Sequence, residues 1–246
     1  MSGVLVLLRH GESSANAEEL FTGVLDVPLT ERGRDEARWA GQQLLEVGLW
    51  PKHWVCSPML RGRQTAEMLL EVGPRPERFD LDGRLLERNY GALTGHAKAE
   101  ILARYGEERF RTWRRSVDVA PPPLDAAQVQ QLELPLAEYP HVRITPTESL
   151  HDVIVRVEPL WHDRLVPALE AVEQVLVIAH GNSLRALCAV IDGLGDAEVE
   201  ALNIPNAHPL LYEVDAAGVP SPRGGRYLDP DSAHEAAAII ARAGGT

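Results

Sequence analysis

The sequence predicts an α/β fold, a three-layer sandwich in which a mostly parallel sheet is flanked by helices. Three observations carry that prediction. First, the runs VLVLL (4–8), HWVC (53–56) and VLVIA (175–179) are too apolar to have a wet face, so they read as strands buried on both sides. Second, helical stretches separate these runs, which is the connection that parallel strands require. Third, two of the runs end alike, at His10–Gly11 and at His180–Gly181. Ligands of parallel sheets gather at the carboxyl ends of the strands. The echo therefore places two imidazoles in one crevice.

The elements follow in order. After the first strand, a polar stretch (11–29) leads to a helix capped by Thr30, with acids in its first turns, that ends at Gly48. The second strand is 53–57, and Pro58 opens the next helix, MLRGRQTAEMLLEVG. FDLDGRL (79–85) supplies a third strand. Residues 97–115 form a helix with basic residues at its C-terminal end. PPP at 121–123 stops it, and 118–146 reads as a proline-rich, irregular excursion. Thr147 caps a long helix over 147–172, bent at Pro159. Past the strand at 175–179 come a helix in SLRALCAVIDGLG, a short helix in DAEVEALNI and a strand in PLLYEVD. The C-terminal tail (229–246) has helical propensity but little to bury. No Ser/Gly-rich or charged linker interrupts the chain, so residues 1–246 are expected to form a single domain.

Composition narrows the function. A net charge of -12 argues against non-specific nucleic-acid binding. No apolar run approaches the roughly 18 residues of a membrane span, and the first residues lack a basic leader, so they read as a strand. Cys56 and Cys188 lie far apart, outside any CxxC pattern and in apolar surroundings. They are expected to be free buried thiols, in keeping with a reducing, cytoplasmic setting. Of the 24 basic residues only Lys52 and Lys98 are lysines, so any anion site here is built mainly from planar, bidentate guanidinium groups.

The chemistry follows from what accompanies the two histidines. Arg9 precedes His10, and Ser13, Asn16 and the FTG of 21–23 follow closely. HExxH, a carboxylate cluster, GxxxxGK[ST] and GxSxG are all absent, which argues against a metal site, a nucleotide P-loop and a serine hydrolase. Histidine with arginine, and neither metal nor serine, suits phosphoryl transfer through a phosphohistidine. His10 would attack, while Arg9, Arg61 and a protonated His180 would clamp the oxygens of the transferred group. Glu87 in LLERNYGALTG is either a proton donor and acceptor for the alcohol or a salt-bridge partner of nearby arginines. Arg114 and Arg115 in WRRS either hold an anion or complement the dipole at a helix C-terminus.

These residues, with LLRHGES, DVPLTERG, ERNYGALTG-AKAE, WRRS, TESL, AHGNSLRAL and LNIP, resemble the histidine phosphatase superfamily, and within it the cofactor-dependent phosphoglycerate mutase branch. The matches run in order from about residue 4 to about residue 215. The resemblance implies a phosphoglycerate mutase-like sandwich that interconverts 3- and 2-phosphoglycerate, with His10 the phosphorylated nucleophile, Glu87 the general acid/base and His180 the transition-state stabiliser. It implies that Arg9, Ser13, Asn16, Arg61, Gly181 and Asn182 contact the transferring phosphoryl group or the substrate near it. Thr22, Gly23, Tyr90, Lys98, Arg114 and Arg115 would hold the rest of a phosphorylated three-carbon acid. It also implies priming by 2,3-bisphosphoglycerate, no metal, and a monomer or a homo-oligomer (dimer or tetramer). The excursion and the tail are expected to cover the site against water. Departures are Asn89, where the family usually has His, a phosphatase-like SPMLRGRQTAEML, and Asn206 and His208 in NIPNAHPLLYE. The rivals are a phosphatase of small phosphomonoesters and a non-catalytic binding protein that keeps the fold.

Overall fold

In the computed structural model, which describes residues 3–171, 173–215 and 218–242, six strands form one sheet in the order β3-β2-β4-β1-β5-β6. The strands are β1 (Gly3–Arg9), β2 (His53–Cys56), β3 (Arg78–Leu81), β4 (Gln174–Ala179), β5 (Leu210–Val214) and β6 (Pro220–Tyr227). The helices are α1 (Ser14–Ala17), α2 (Glu31–Glu46), α3 (Leu60–Val72), α4 (Lys98–Arg115), α5 (Ala126–Glu133), α6 (Leu150–Leu160), α7 (Val166–Glu170), α8 (Gly181–Asp192), α9 (Asp196–Ala201) and α10 (Pro230–Arg242).

The strand runs that read as too apolar for a wet face are buried on both faces. On one, Leu5, Leu7, Val55, Val175 and Val177 join Leu184, Leu187 and Leu165. On the other, Val6, Leu8, Trp54, Leu176 and Ile178 join Ala37, Leu44 and Leu69. β1 and β4 are parallel neighbours, with Arg9 opposite Ala179. β2 lies beside β4 with Cys56 opposite Ile178. Three adjacent strands therefore end side by side, at His10, His180 and Ser57.

The mostly parallel sheet is as expected, with β5 alone running against the other five strands. Several expectations need correction. β6 went unread because PSPRGGRY carries proline and glycine, which a sheet tolerates at its edge. The excursion is not wholly irregular. Asp125 and Gln128 form a capping box for α5, and Leu136 and Ile144 pack on Val24, Met59 and Leu86. Ser149 rather than Thr147 caps the helix that follows, and Thr147 instead donates to the Pro121 carbonyl. The long helix is broken into α6, a π-turn at Trp161–Leu165, and α7, because Pro159 and Pro167 each withdraw an N–H from the ladder. Its final residue, Val172, lies outside the described residues. So do residues 243–246 of the tail, whose earlier part forms α10, seated by Ala233 and by a His208–Ser232 hydrogen bond. α4 is kinked at Gly106, where φ is 80°.

The loop after β1 is fastened to α2 by close backbone approach. Thr30 accepts from the N–H of Gly33, and the N–H of Thr30 donates to the Glu12 carbonyl. A Cβ on Gly33 would run into that same carbonyl. Helix propensity alone predicts that Gly33→Ala stabilises by up to about 1 kcal/mol. Overpacking against backbone costs about 1–3 kcal/mol and should win. Urea unfolding is expected to show a net loss of stability in Gly33→Ala; a gain would show that the contact yields.

Candidate active site

The cleft lies at the carboxyl end of β1 and encloses about 440 Å³ of space, part of it open to solvent. Arg9, His10, Asn16, Thr22, Gly23, Arg61, Glu87, Tyr90, Lys98, Arg114 and Asn182 line it, with Leu20 and Phe21. His180 sits behind this lining, its ring centroid 5.0 Å from that of His10. Ser13, Gly181 and Arg115 do not line it. Ser13 and Asn16 make the reciprocal capping box of α1. Gly181 starts α8. The Arg115 guanidinium donates to the Leu202 carbonyl and the Asn203 side chain, 3.1 Å each, because its position on α4 turns it toward the residues following α9. Neither the excursion nor α10 supplies a lining residue, so the expected covers pack elsewhere in this structure.

The His10 ring is held in one tautomer. Its Nδ1 is 2.6 Å from the Gly11 carbonyl, an acceptor only, so Nδ1 carries the proton. Nε2 therefore keeps its lone pair, which accepts from Arg61 Nε at 3.2 Å. Burial, then the charges of Arg61 and Arg9, hold the His10 pKa well below 6.5. The ring is neutral and nucleophilic at Nε2.

His180 is also neutral, which corrects the expectation of a protonated clamp. Burial, followed by Arg61, His10 and Arg9, pushes its pKa well below 6.5. Its Nε2 is 2.7 Å from Ser57 Oγ. That hydroxyl also accepts from the Met59 N–H, so Ser57 links the ring to the start of α3. His180 Nδ1 and Arg9 Nε are both buried without a hydrogen-bond partner among the described residues. These unpartnered polar nitrogens beside His10 leave room for an anion.

Glu87 is set by backbone. Its Oε1 accepts from the N–H groups of Arg88 (2.7 Å) and of Asn182 (3.1 Å), the latter in the first turn of α8, where the helix dipole favours a carboxylate. Oε2 makes only a longer contact of 3.4 Å. A buried frame holds this loop: Glu148 pairs with Arg156 at 2.9 Å and accepts from the Asn89 N–H, and Arg88 donates to the Glu148 carbonyl. Asn89 itself ties Gly91 and Thr145 together.

The remaining cations share the cleft. Burial lowers the pKa of Arg61 to about 10 and that of Lys98 to about 8, the latter aided by Arg114 and Arg9. Asn182 donates to the Tyr90 hydroxyl and accepts from Arg185, itself fully buried. Sequence reasoning missed Ser57, Arg185 and the Glu148–Arg156 pair. Ser57 had a readable signal, a polar residue at a strand end next to the strand of His180; the other two had none before the fold was known. Both cysteines are buried and free, and burial pushes the Cys188 thiol up to about 12. Among the described residues no group of three or more His, Cys, Asp or Glu side chains could hold a metal ion.

The two buried histidines make stability depend on pH with a definite sign. Each has a folded pKa below its ordinary value of 6.5, so folding favours the neutral ring. Their contribution is complete above about pH 6.5 and drains as pH falls, by up to about 1.4 kcal/mol per pH unit per histidine. Urea unfolding between about pH 8 and about pH 5.5 should show a shallower decline for His180→Asn than for the parent protein; equal slopes would contradict this assignment.

The family described as histidine phosphatase superfamily (branch 1) matches residues 5–219. A protein of Streptomyces avermitilis named 2,3-bisphosphoglycerate-dependent phosphoglycerate mutase is 48% identical, over 96% of this chain and 94% of its own length. One of the same name from a Nocardioides species is 46% identical, over 99% of this chain and 100% of its own. Among solved structures, a protein titled mycobacterial hydrolase 1 superposes with a TM-score of 0.70 at 27% identity, covering 90% of this chain and 96% of its own. A mycobacterial glucosyl-3-phosphoglycerate phosphatase in complex with VO3 superposes with a TM-score of 0.66 at 29% identity, covering 86% and 92%. With its paired strand-end histidines and matched over most of its length, the chain belongs to branch 1 of the histidine phosphatase superfamily.

Proposed function

We propose that the chain is a 2,3-bisphosphoglycerate-dependent phosphoglycerate mutase, an isomerase that interconverts 3-phosphoglycerate and 2-phosphoglycerate in glycolysis and gluconeogenesis. The observation that supports this best is the presence of two anion seats in one cleft. One is formed by His10, Arg9, Arg61 and His180. The other is formed by Lys98 and Arg114. A phosphatase of simple monoesters needs only the first. A three-carbon acid bearing two phosphates fills both, and the unpartnered Arg9 Nε and His180 Nδ1 beside His10 suit it.

2,3-Bisphosphoglycerate supplies the phosphoryl group that primes His10. His10 presents Nε2 to phosphorus, with its other nitrogen committed to Gly11. Arg9, Arg61 and His180 stabilise charge on the equatorial oxygens as the group transfers. Glu87 Oε2 takes the proton of the attacking alcohol and returns it when the phosphoryl group comes back to His10. Lys98 and Arg114 hold the far end of the substrate while it reorients, with Thr22, Gly23, Tyr90 and Asn182 around it. Burial of His10, 2% exposed, limits loss of the phosphohistidine to water. Arg115, Ser13 and Gly181 act one step back, through α4, α1 and α8. The free buried thiols suit a cytoplasmic setting, and among the described residues no helix is long and apolar enough to cross a membrane.

The superposition on a phosphatase keeps a second reading in view, hydrolysis of small phosphomonoesters. One assay separates them: 3-phosphoglycerate with a trace of 2,3-bisphosphoglycerate. The proposal predicts 2-phosphoglycerate as the main product; inorganic phosphate as the main product favours the phosphatase. His10→Ala should abolish either activity, and His180→Ala should lower kcat by about 10²–10³-fold with the fold retained.

A further inference from the structure

The chain has two lysines, and the structure puts them in opposite settings. The Lys52 side chain is 74% exposed and bridged to Glu77 at 2.7 Å, a hydrogen bond that raises its pKa. Lys98 opens α4, where its backbone N–H bonds to the Glu19 carbonyl, and its side chain lines the cleft. The titratable and charged groups around it are Arg9 and His10 from β1, Glu19 beyond α1, Glu87 and Tyr90 from the loop before α4, and Arg114 from α4 itself. Among the described residues no carboxylate comes within ion-pair distance of its ammonium group. Burial and two guanidinium neighbours therefore favour the neutral amine, with a pKa of about 8. About a tenth of Lys98 is then a free amine at pH 7.

A primary amine in a cationic pocket selects for electrophiles that carry negative charge. We propose that Lys98 is a site of reversible imine formation with short phosphorylated aldehydes, which compete with substrate for the cleft. The phosphate of such a molecule takes an anion seat, and its carbonyl carbon is presented to Lys98 Nζ. The ammonium group first releases a proton to solvent. The nitrogen lone pair then adds to the carbonyl carbon as one nitrogen proton passes to the carbonyl oxygen, and the carbinolamine loses that hydroxyl with the last nitrogen proton as water, leaving C=N. No oxidant or further reactant is needed, and hydrolysis reverses the step. Lys52, exposed, protonated and without an anion seat, should be far less reactive. The proposal rests on the reading of the cleft as a seat for short phosphorylated acids.

The test uses the whole protein with glyceraldehyde 3-phosphate and sodium cyanoborohydride, followed by peptide mass spectrometry. Lys98 should be modified at least about tenfold faster than Lys52, with a rate that rises through about pH 8. Orthovanadate or 3-phosphoglycerate should suppress labelling of Lys98 but not of Lys52, and Lys98→Arg should leave only the slow Lys52 reaction. Glyceraldehyde, without the phosphate, should show no preference for Lys98. Equal rates at the two lysines, or Lys98 labelling indifferent to orthovanadate, would overturn the proposal. Turnover of untreated enzyme, measured in parallel, separates the two ideas. Protected Lys98 labelling without isomerisation upholds the imine site and sinks the mutase reading. Isomerisation without preferential Lys98 labelling does the reverse.

Discussion

The chemistry of this cleft depends on the hydrogen bond between His10 Nδ1 and the Gly11 carbonyl, 2.6 Å long. It places the ring proton, and so decides which nitrogen is free to attack. The bond exists because β1 ends where it does. The backbone must turn at Gly11, and its path is held by the His10 N–H on the Ala179 carbonyl and by the Gly11 N–H on the Thr65 hydroxyl. After β4 the His180 N–H donates to Ser183 Oγ, and Ser57 at the end of β2 meets His180 Nε2 at 2.7 Å. Three neighbouring parallel strands thus seat both rings. Outside that frame either imidazole would be a solvated base with a pKa near 6.5 and a mixture of protonation states.

Gathering buried cations around two neutral rings is costly, since isolated buried charge is disfavoured. The fold offsets this with backbone carbonyls. Arg9 donates to Ile204, and Arg61 to Leu25 and Gly23. Asn206 donates to the His10 carbonyl at 2.8 Å and Ala207 to that of Arg9, so the loop leading to β5 braces His10 from outside the cleft. This gives the unusual Asn206 a concrete role. His208 extends the brace to Trp39 on α2 and to Ser232 on α10. The guanidinium groups are thereby oriented before any substrate arrives, which is the condition for electrostatic stabilisation of a phosphoryl group in transit.

Much of this was legible in the sequence, for identifiable reasons. The central strands were readable because burial on both faces demands apolar residues at every position, as in 4–8 and 175–179. The paired histidines were readable because the chain writes the same junction twice. β6 was not, since an edge strand can be built from proline and glycine. α5 was hidden because it buries no residue deeply and announces itself only through its Asp125–Gln128 cap. The direction of Arg115 could not be read because neighbouring helical residues diverge by about 100°, and only the position of the loop after α9 decides which of Arg114 and Arg115 meets the cleft. The expectation of a protonated His180 rested on charge alone, whereas burial, then Arg61, lowers its pKa in this structure.

The central claim concerns one atom, His10 Nε2, and nitrogen-15 NMR of histidine-labelled protein reads it directly. In the resting enzyme the His10 ring should give the pattern of a neutral imidazole protonated at Nδ1, unchanged down to about pH 6. After exposure to 2,3-bisphosphoglycerate, a phosphorus coupling should appear at Nε2 while the Nδ1 proton stays in place. Phosphorus bonded to Nδ1, or no phosphorus on His10 in an enzyme that turns over, would contradict the account.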